Sequence, residues 1–435
     1  MTTKSGSILH KESLHHMDYV KIMKRCKKGI NTCVYNIQHD IMSYSLEYEI
    51  TNNKLNTKIC EMKTTNIKYK VVKYDEKYVC DNDEQLGQYR SVIFTEPEGK
   101  LVSYTLPKSI TMELFSSRHI DGTIDNTIYV TEIVEGTMLT LFWDDRINGW
   151  ELASKGAVGG NYWFYRTQYS GKDEPKNQKT FRTMFLEAFR AEKNQDINDL
   201  AYIQELPKGM CYNFVLQHPD NHIVLNVEHP HVFLVSVYEL DATTNAAHFI
   251  HPHTYQSWPI FQSIHGIIEF PKEPEVKYAT IEEYRQSFCI PQLPGLMFLD
   301  ASGERAVLEN PGYVELKTLR GNNPNLHYQY LCLLRIGKVL DFLGYFPQYK
   351  KVFRAFYTQW ESFVTNIHQS YVSYYVKHEN VPISKRYFPL IYKLHHEVYI
   401  PSIATEKIIM RRSEVRKRLL EISPSEIFYY LYKEE

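Results

Sequence analysis

Asn161-Tyr-Trp-Phe-Tyr-Arg166 sets four consecutive aromatic rings beside a guanidinium. Aromatic faces next to a cation can stack nucleic-acid bases, which makes Trp163 and Arg166 candidate RNA contacts. Successive side chains of a strand point to opposite faces, so in any extended arrangement half of these rings belong to a core. Just before them, Gly156-Ala-Val-Gly-Gly160 has the glycine content of a phosphate loop. It lacks the Gly-Lys-Ser/Thr that would complete one, and it reads as a turn. The pairs His15-His16, His229/His231 and His251/His253 have spacings compatible with a metal. Pro230 and Pro252 interrupt the last two, no acidic cluster accompanies them and no Cys-x-x-Cys occurs, so no metal site is expected. Lys407-Ile-Ile-Met-Arg-Arg-Ser-Glu-Val-Arg-Lys-Arg418 reads as a basic helix. It either touches a phosphate backbone or presents a solvated face with its apolar side docked.

The elements that must position these groups follow from periodicity. Segments 68–73, 91–94, 101–104, 128–134, 138–142, 212–216, 222–225 and 232–238 are β-branched or aromatic runs bounded by Gly, Pro, Asn and Asp, and they predict strands. Pro97-Glu-Gly99 and Pro219-Asp-Asn221 predict hairpin turns. Phe181, Met184, Phe185, Ala188 and Phe189 form a helical stripe within 179–193, and 280–288 reads as a shorter helix. Beyond Gly321 the pattern turns helical over 328–343, 349–371, 384–396 and 406–420, with a last helix capped at Ser423-Pro-Ser-Glu426. The expected fold class is α+β: an N-terminal extension of the core over 1–85, a β-rich core over 86–320 and a helical C-terminal domain over 321–435.

Composition bounds the class. Apolar residues make up 43% of 435, enough for a sizeable core. The net charge of −1 excludes whole-chain basicity as a route to nucleic acid and leaves only a local basic patch. Seven scattered cysteines predict reduced thiols, and no apolar leader or run of 18 apolar residues is seen, so a soluble, cytoplasmic chain with no membrane partner is expected. The 34 tyrosines, with abundant Asn, Ile and Lys, reflect A/T-rich codons and suit a viral source.

Six segments between about 80 and 320 resemble, in order, the bacteriophage-type RNA ligase and tRNA ligase branch of the covalent nucleotidyltransferases. They are Gln88-Tyr-Arg-Ser-Val-Ile-Phe94, Leu101-Val-Ser-Tyr-Thr-Leu-Pro-Lys108, Tyr129-Val-Thr-Glu-Ile-Val-Glu-Gly-Thr137, Trp150-Glu-Leu-Ala-Ser-Lys-Gly156, Tyr212 to Leu225, and Leu293-Pro-Gly-Leu-Met-Phe298 followed by Arg305 to Tyr313. The resemblance implies a nucleotidyltransferase (ATP-grasp-like RNA ligase) core of antiparallel sheets with a C-terminal helical domain. In that family a lysine amine attacks ATP and forms a lysyl-AMP. The matching position is Ile133, which has no lone pair. Val215 and Pro294 stand where the family has carboxylates, and Val307 and Glu309 where it has phosphate-binding lysines. Arg90, Lys108, Gly136 and Lys155 keep their family types, which implies a remaining nucleotide- or RNA-binding surface; their other reading is as turn glycine and solvated charges. The expectation is therefore a protein that is not an enzyme, needs no cofactor and binds RNA, including a capped or phosphorylated 5′ end. Two alternatives stay open. One is a scaffold subunit that binds other proteins, through the helical domain among other surfaces. The other is a ligase with a relocated lysine, Lys108 or Lys155.

Overall fold

The computed structural model describes residues 33–36, 41–50, 52–62, 65–79, 83–162, 179–264, 266–321, 323, 325–380 and 382–432. Trp163 and Arg166, and with them most of the aromatic run, lie outside the described residues, as does His15-His16. The described residues up to Val314 form one compact unit and those from Glu315 onward a second.

The first unit mixes sheets and helices. Its strands are β1 (Cys33–Asn36), β2 (Ile41–Ser45), β3 (Leu55–Glu61), β4 (Lys68–Tyr74), β5 (Val92–Glu96), β6 (Leu101–Tyr104), β7 (Tyr129–Glu132), β8 (Thr137–Asp144), β9 (Gly149–Ser154), β10 (Ala157–Val158), β11 (Met210–Gln217), β12 (His231–Asp241), β13 (Ala246–Ile250), β14 (Ile268–Glu269), β15 (Gly295–Leu299) and β16 (Arg305–Glu309). A large sheet runs β1-β2-β13-β12-β11-β8-β9-β10, with β14 beside β12; a second runs β3-β4-β5-β6 and a third β16-β15-β7. Pairing between these strands is antiparallel except for β12 with β14.

Alternation decides which face of each sheet is apolar. On the large sheet Leu139, Leu141, Tyr212, Phe214 and Leu216 share a cluster with Phe181, Met184 and Phe185 of the helix Phe181–Ala188. Burying each such side chain contributes roughly 1.5–3 kcal/mol. The opposite face carries polar residues at the core. Thr140 Oγ1 lies 3.1 Å from Thr105 Oγ1 and donates to Asn213 Oδ1 at 2.9 Å. Asn213 Nδ2 in turn donates to Ser236 Oγ and to the Tyr104 carbonyl. Satisfied in this way, the buried hydroxyls and amide fix the register between β6, β8, β11 and β12 instead of weakening the core.

Two sequence expectations need correction here. Ile223-Val224-Leu225 is not a strand: its backbone N–H groups turn toward a carboxylate, described below, and so leave any ladder. Pro219-Asp-Asn221 accordingly closes an isolated bridge between His218 and Asn221, not a strand hairpin. The Pro97-Glu-Gly99 turn does connect β5 to β6.

The second unit is helical. In Lys350–Tyr371 the buried residues Phe353, Phe356, Trp360, Phe363, Val364, Ile367 and Tyr371 follow helical spacing and centre its core. The expected helix over 328–343 is two helices, Leu326–Arg335 and Val339–Tyr345, with a turn at Gly337 (φ 71°) between them. The basic segment becomes the helix Arg412–Glu421. Three of its arginines are engaged within the unit: Arg412 and Arg416 both reach Glu361, and Arg418 pairs with Glu414 and Glu421. Among the described residues no helix is long and apolar enough to cross a membrane.

One pH response is built into the first unit. The helix Met112–His119 ends against the 300–304 turn, where His119 Nε2 meets Glu304 Oε2 at 2.5 Å and Nδ1 lies 3.3 Å from Asp300 Oδ2. Burial lowers the His119 pKa, but Glu304 and Asp300 outweigh it and the net shift is upward from 6.5. A raised basic group stabilises fully below its unfolded value and loses that contribution as pH rises through the folded one. Glu304 is shifted the other way, below 4.5, so its contribution is present above that value and lost on acidification. Stability is expected to peak between these two ordinary values and decline on the alkaline side. His119→Gln should flatten the alkaline decline in a series of thermal melts. An unchanged decline in that variant would remove His119 as its cause.

Candidate functional site

The third sheet positions most of the site. Tyr129, Leu299 and Arg305 face one another across β7, β15 and β16; Thr131, Met297 and Val307 form the next row. Ile133 N donates to the Gly295 carbonyl at 2.9 Å, and Gly295 pairs with Glu309, which makes a third row. Paired residues and every second residue share a face, so all three rows lie on one side of this sheet. Rows are about 7 Å apart, which puts Arg305 and Ile133 at opposite ends of a strip about 13 Å long. The other side of the sheet packs Val130, Leu296, Phe298, Ala306 and Leu308 against Phe115 and Tyr284. Arg305, Val307, Met297 and Ile133 are half-buried, Glu309 is exposed and Thr131 is buried.

The loop after β7 is held by a buried carboxylate. Glu135 accepts from the backbone N–H of Ile223, Val224 and Leu225 and from the Tyr313 hydroxyl at 2.8 Å. Gln217 Nε2 donates to the Glu135 carbonyl at 2.9 Å. Gly136 follows at a close backbone approach: an added Cβ would fall within 3.0 Å of the Leu216 carbonyl and Val215 Cγ1. Gly295 is equally confined, by the Leu308 carbonyl, at φ 144°. Both glycines are therefore required by packing, whatever else they contact.

The retained cations gather along another edge. Arg90 precedes β5, and Lys108 N donates to the Gly87 carbonyl, so the two lie on adjacent segments. Lys155, in the turn between β9 and β10, pairs with Glu76 at 2.7 Å and sits 4.7 Å over the Tyr74 ring. Tyr74 is also the neighbour that acts on Arg90. Arg90, Lys108 and Lys155 are thus brought to one region, with the Lys155 charge already countered by a carboxylate.

Of the substituted positions, Val215 is buried on β11 against Gly136, and Pro294 is buried with its carbonyl accepting from Asn310 N. Sequence reasoning passed over Arg305 and Tyr313. The signal for Arg305 was present, since period-two alternation puts it on the face of Val307 and Glu309. Tyr313 carried none, because its partner is 178 residues away.

Arg305 is the unusual member. Its Nη2 donates to the Pro107 carbonyl at 2.5 Å and its Nη1 approaches Met297 Sδ at 3.7 Å, while Nε has no partner. Burial, and then repulsion from Arg90, push its pKa down to about 10. Burial also lowers Arg90. Among the described residues no group of three or more His, Cys, Asp or Glu side chains is placed to hold a metal ion.

No protein-family model matches the sequence. Over 112 residues, 26% of this chain, it is 26% identical to a protein of Rhodothermus phage RM378 named RNA ligase. The chain spans 23% of the length of that relative. This match supports a relationship to RNA ligases. Among solved structures the chain is similar to a Naegleria gruberi RNA ligase mutant with ATP and Mn, at 11% identity and TM-score 0.30, covering 60% of this chain and 98% of that one. A second mutant of that ligase, with AMP and Mn, gives 10% identity and TM-score 0.29, covering 60% and 97%. At those scores the structural likeness carries no argument. The relative's name is that of an enzyme, and this finding overturns the expectation, drawn from Ile133, Val215, Pro294, Val307 and Glu309, that the chain is not one.

Proposed function

We propose that this chain is an enzyme of the RNA ligase type, with a nucleotidyltransferase core over 86–320 and a helical domain over 321–435, that joins RNA ends whose 5′ phosphate is already activated. The observation supporting this reading is the strip just described: the Ile133 row held by Glu135 and Gly295, with Arg305 at its far end.

Position 133 bears no amine, so a lysyl-nucleotide bond does not form there. Joining needs none when the 5′ phosphate is linked to AMP through an anhydride. The 3′ hydroxyl oxygen attacks the 5′ phosphorus, a P–O bond forms, the anhydride P–O bond breaks, and AMP leaves with the electron pair. The hydroxyl proton passes to water. Such a step asks the protein for alignment and for cations around the phosphoryl oxygens. Arg90, Lys108 and Lys155 supply positive charge, and Gly136 permits close backbone approach.

The test mixes the full chain with a 5′-adenylylated RNA, a 3′-hydroxyl RNA and Mg²⁺, resolved by denaturing electrophoresis. A joined product is expected, made at least tenfold more slowly by Arg90→Ala. No product from single-stranded, nicked or hairpin substrates would refute the reading.

A further inference from the structure

Arg90 and Arg305 are two half-buried arginines whose guanidinium groups repel each other, and neither has an ion pair among the described residues. The other neighbours acting on them are the tyrosines Tyr44, Tyr74 and Tyr238, with no carboxylate among them. An arginine stays charged in such a setting, and a partly desolvated charge without a counter-ion is unfavourable. Two adjacent ones cost more. Polar atoms on this face do not offset this: Arg305 Nε and Thr131 Oγ1 are both buried without a hydrogen-bond partner. Thr131 lies one row from Arg305 on the same face of the sheet. The segment that carries Arg90 adjoins the one that Arg305 grips: the Ser91 carbonyl accepts from Thr105 N, and Arg305 donates to the Pro107 carbonyl.

Buried donors left open around two cations describe a binding site for an anion with several acceptor oxygens. We propose that Arg90 and Arg305, with the hydroxyl of Thr131, bind a phosphoryl group at the far end of the strip from Ile133, and that its source is the phosphoanhydride of an activated RNA end. The second half rests on the function proposed above; the anion site itself does not. About 13 Å separates the Arg305 row from the Ile133 row. That spacing holds a phosphate away from position 133, where no amine is present to react with it.

Inorganic pyrophosphate is the probe for the site alone. Titrated into the full chain in a calorimeter, it is expected to bind, and at saturation to raise the melting temperature. Arg305→Met and Arg90→Met should each weaken pyrophosphate at least tenfold, with Arg305→Lys intermediate. Arg305→Met should also melt no lower than the wild type when pyrophosphate is absent, because it removes an uncompensated charge. A purely structural arginine would give the reverse: a lower melting temperature and unchanged affinity. No binding to the wild type at millimolar pyrophosphate would overturn the site whether or not the variants fold. The source is then read by competition. A 5′-adenylylated RNA should displace pyrophosphate and a 5′-hydroxyl RNA of the same sequence should not; equal displacement, or none, would overturn the assignment to an activated end. Pyrophosphate binding without RNA joining would refute the proposed function and leave the anion site standing.

Discussion

Glu135→Ala is expected to destabilise the first unit by about 3–5 kcal/mol, among the largest effects of any single substitution in this chain. The carboxylate is buried and accepts three backbone N–H groups from 223–225 and the Tyr313 hydroxyl. Hydrogen bonds to a charged group contribute roughly 1.5–3 kcal/mol each, and a buried donor left open costs about 1–3. Ile223 and Leu225 are half-buried and can recover water, whereas Val224 and the tyrosine hydroxyl cannot. Relief of the buried charge returns part of the loss, which keeps the total below the simple sum. Tyr313→Phe removes a single partner and should cost about 1–2 kcal/mol. Urea unfolding measures both. A Glu135→Ala midpoint corresponding to less than 1 kcal/mol would mean that the 223–225 turn is held by something else.

Gly295→Ala is the second large effect, with an expected loss of at least about 3 kcal/mol or failure to accumulate as folded protein. The new Cβ would fall within 3.0 Å of the Leu308 carbonyl, a backbone atom that cannot swing aside. Gly295 pairs with Glu309 and its carbonyl accepts from Ile133 N, so relief would have to break one of these contacts. The φ of 144° adds strain for any side chain. If purified Gly295→Ala unfolds within 1 kcal/mol of the wild type, Ile133 is not held by the backbone contact described here.

Much of the fold was legible in the sequence because alternation is local. Lys68 to Lys73, Leu101 to Tyr104 and Met138 to Phe142 show period-two patterns or β-branched runs, and all are strands. The run Ile223-Val224-Leu225 has the same appearance and is not a strand. What distinguishes it is Glu135, 88 residues away from Ile223, whose oxygens compete for the N–H groups a ladder would use. Helical periodicity located the segment 328–343 but not its interruption, which Gly337 sets by its left-handed conformation. The sequence also misled on enzyme status: Ile133, Val215, Pro294, Val307 and Glu309, standing where the resembled family has its reactive and charged groups, were read together as the loss of catalysis, and the relative's name points the other way. The basic helix was read two ways, and its contacts bear on that choice. Its arginines read as a possible phosphate surface, yet Glu361, Glu414 and Glu421 already occupy them. Arg305 is the converse: it looks unexceptional in a strand and stands out only once its neighbours prove to be another arginine and three tyrosines.

The most direct measurement is a single-turnover reaction of excess protein with a 5′-adenylylated RNA carrying ³²P in the activated phosphate, together with a 3′-hydroxyl RNA. The expected result is movement of the label into a phosphatase-resistant internal linkage, with one AMP released per bond formed. Label that remains at the RNA terminus, with no AMP released at saturating protein, would contradict the proposed function.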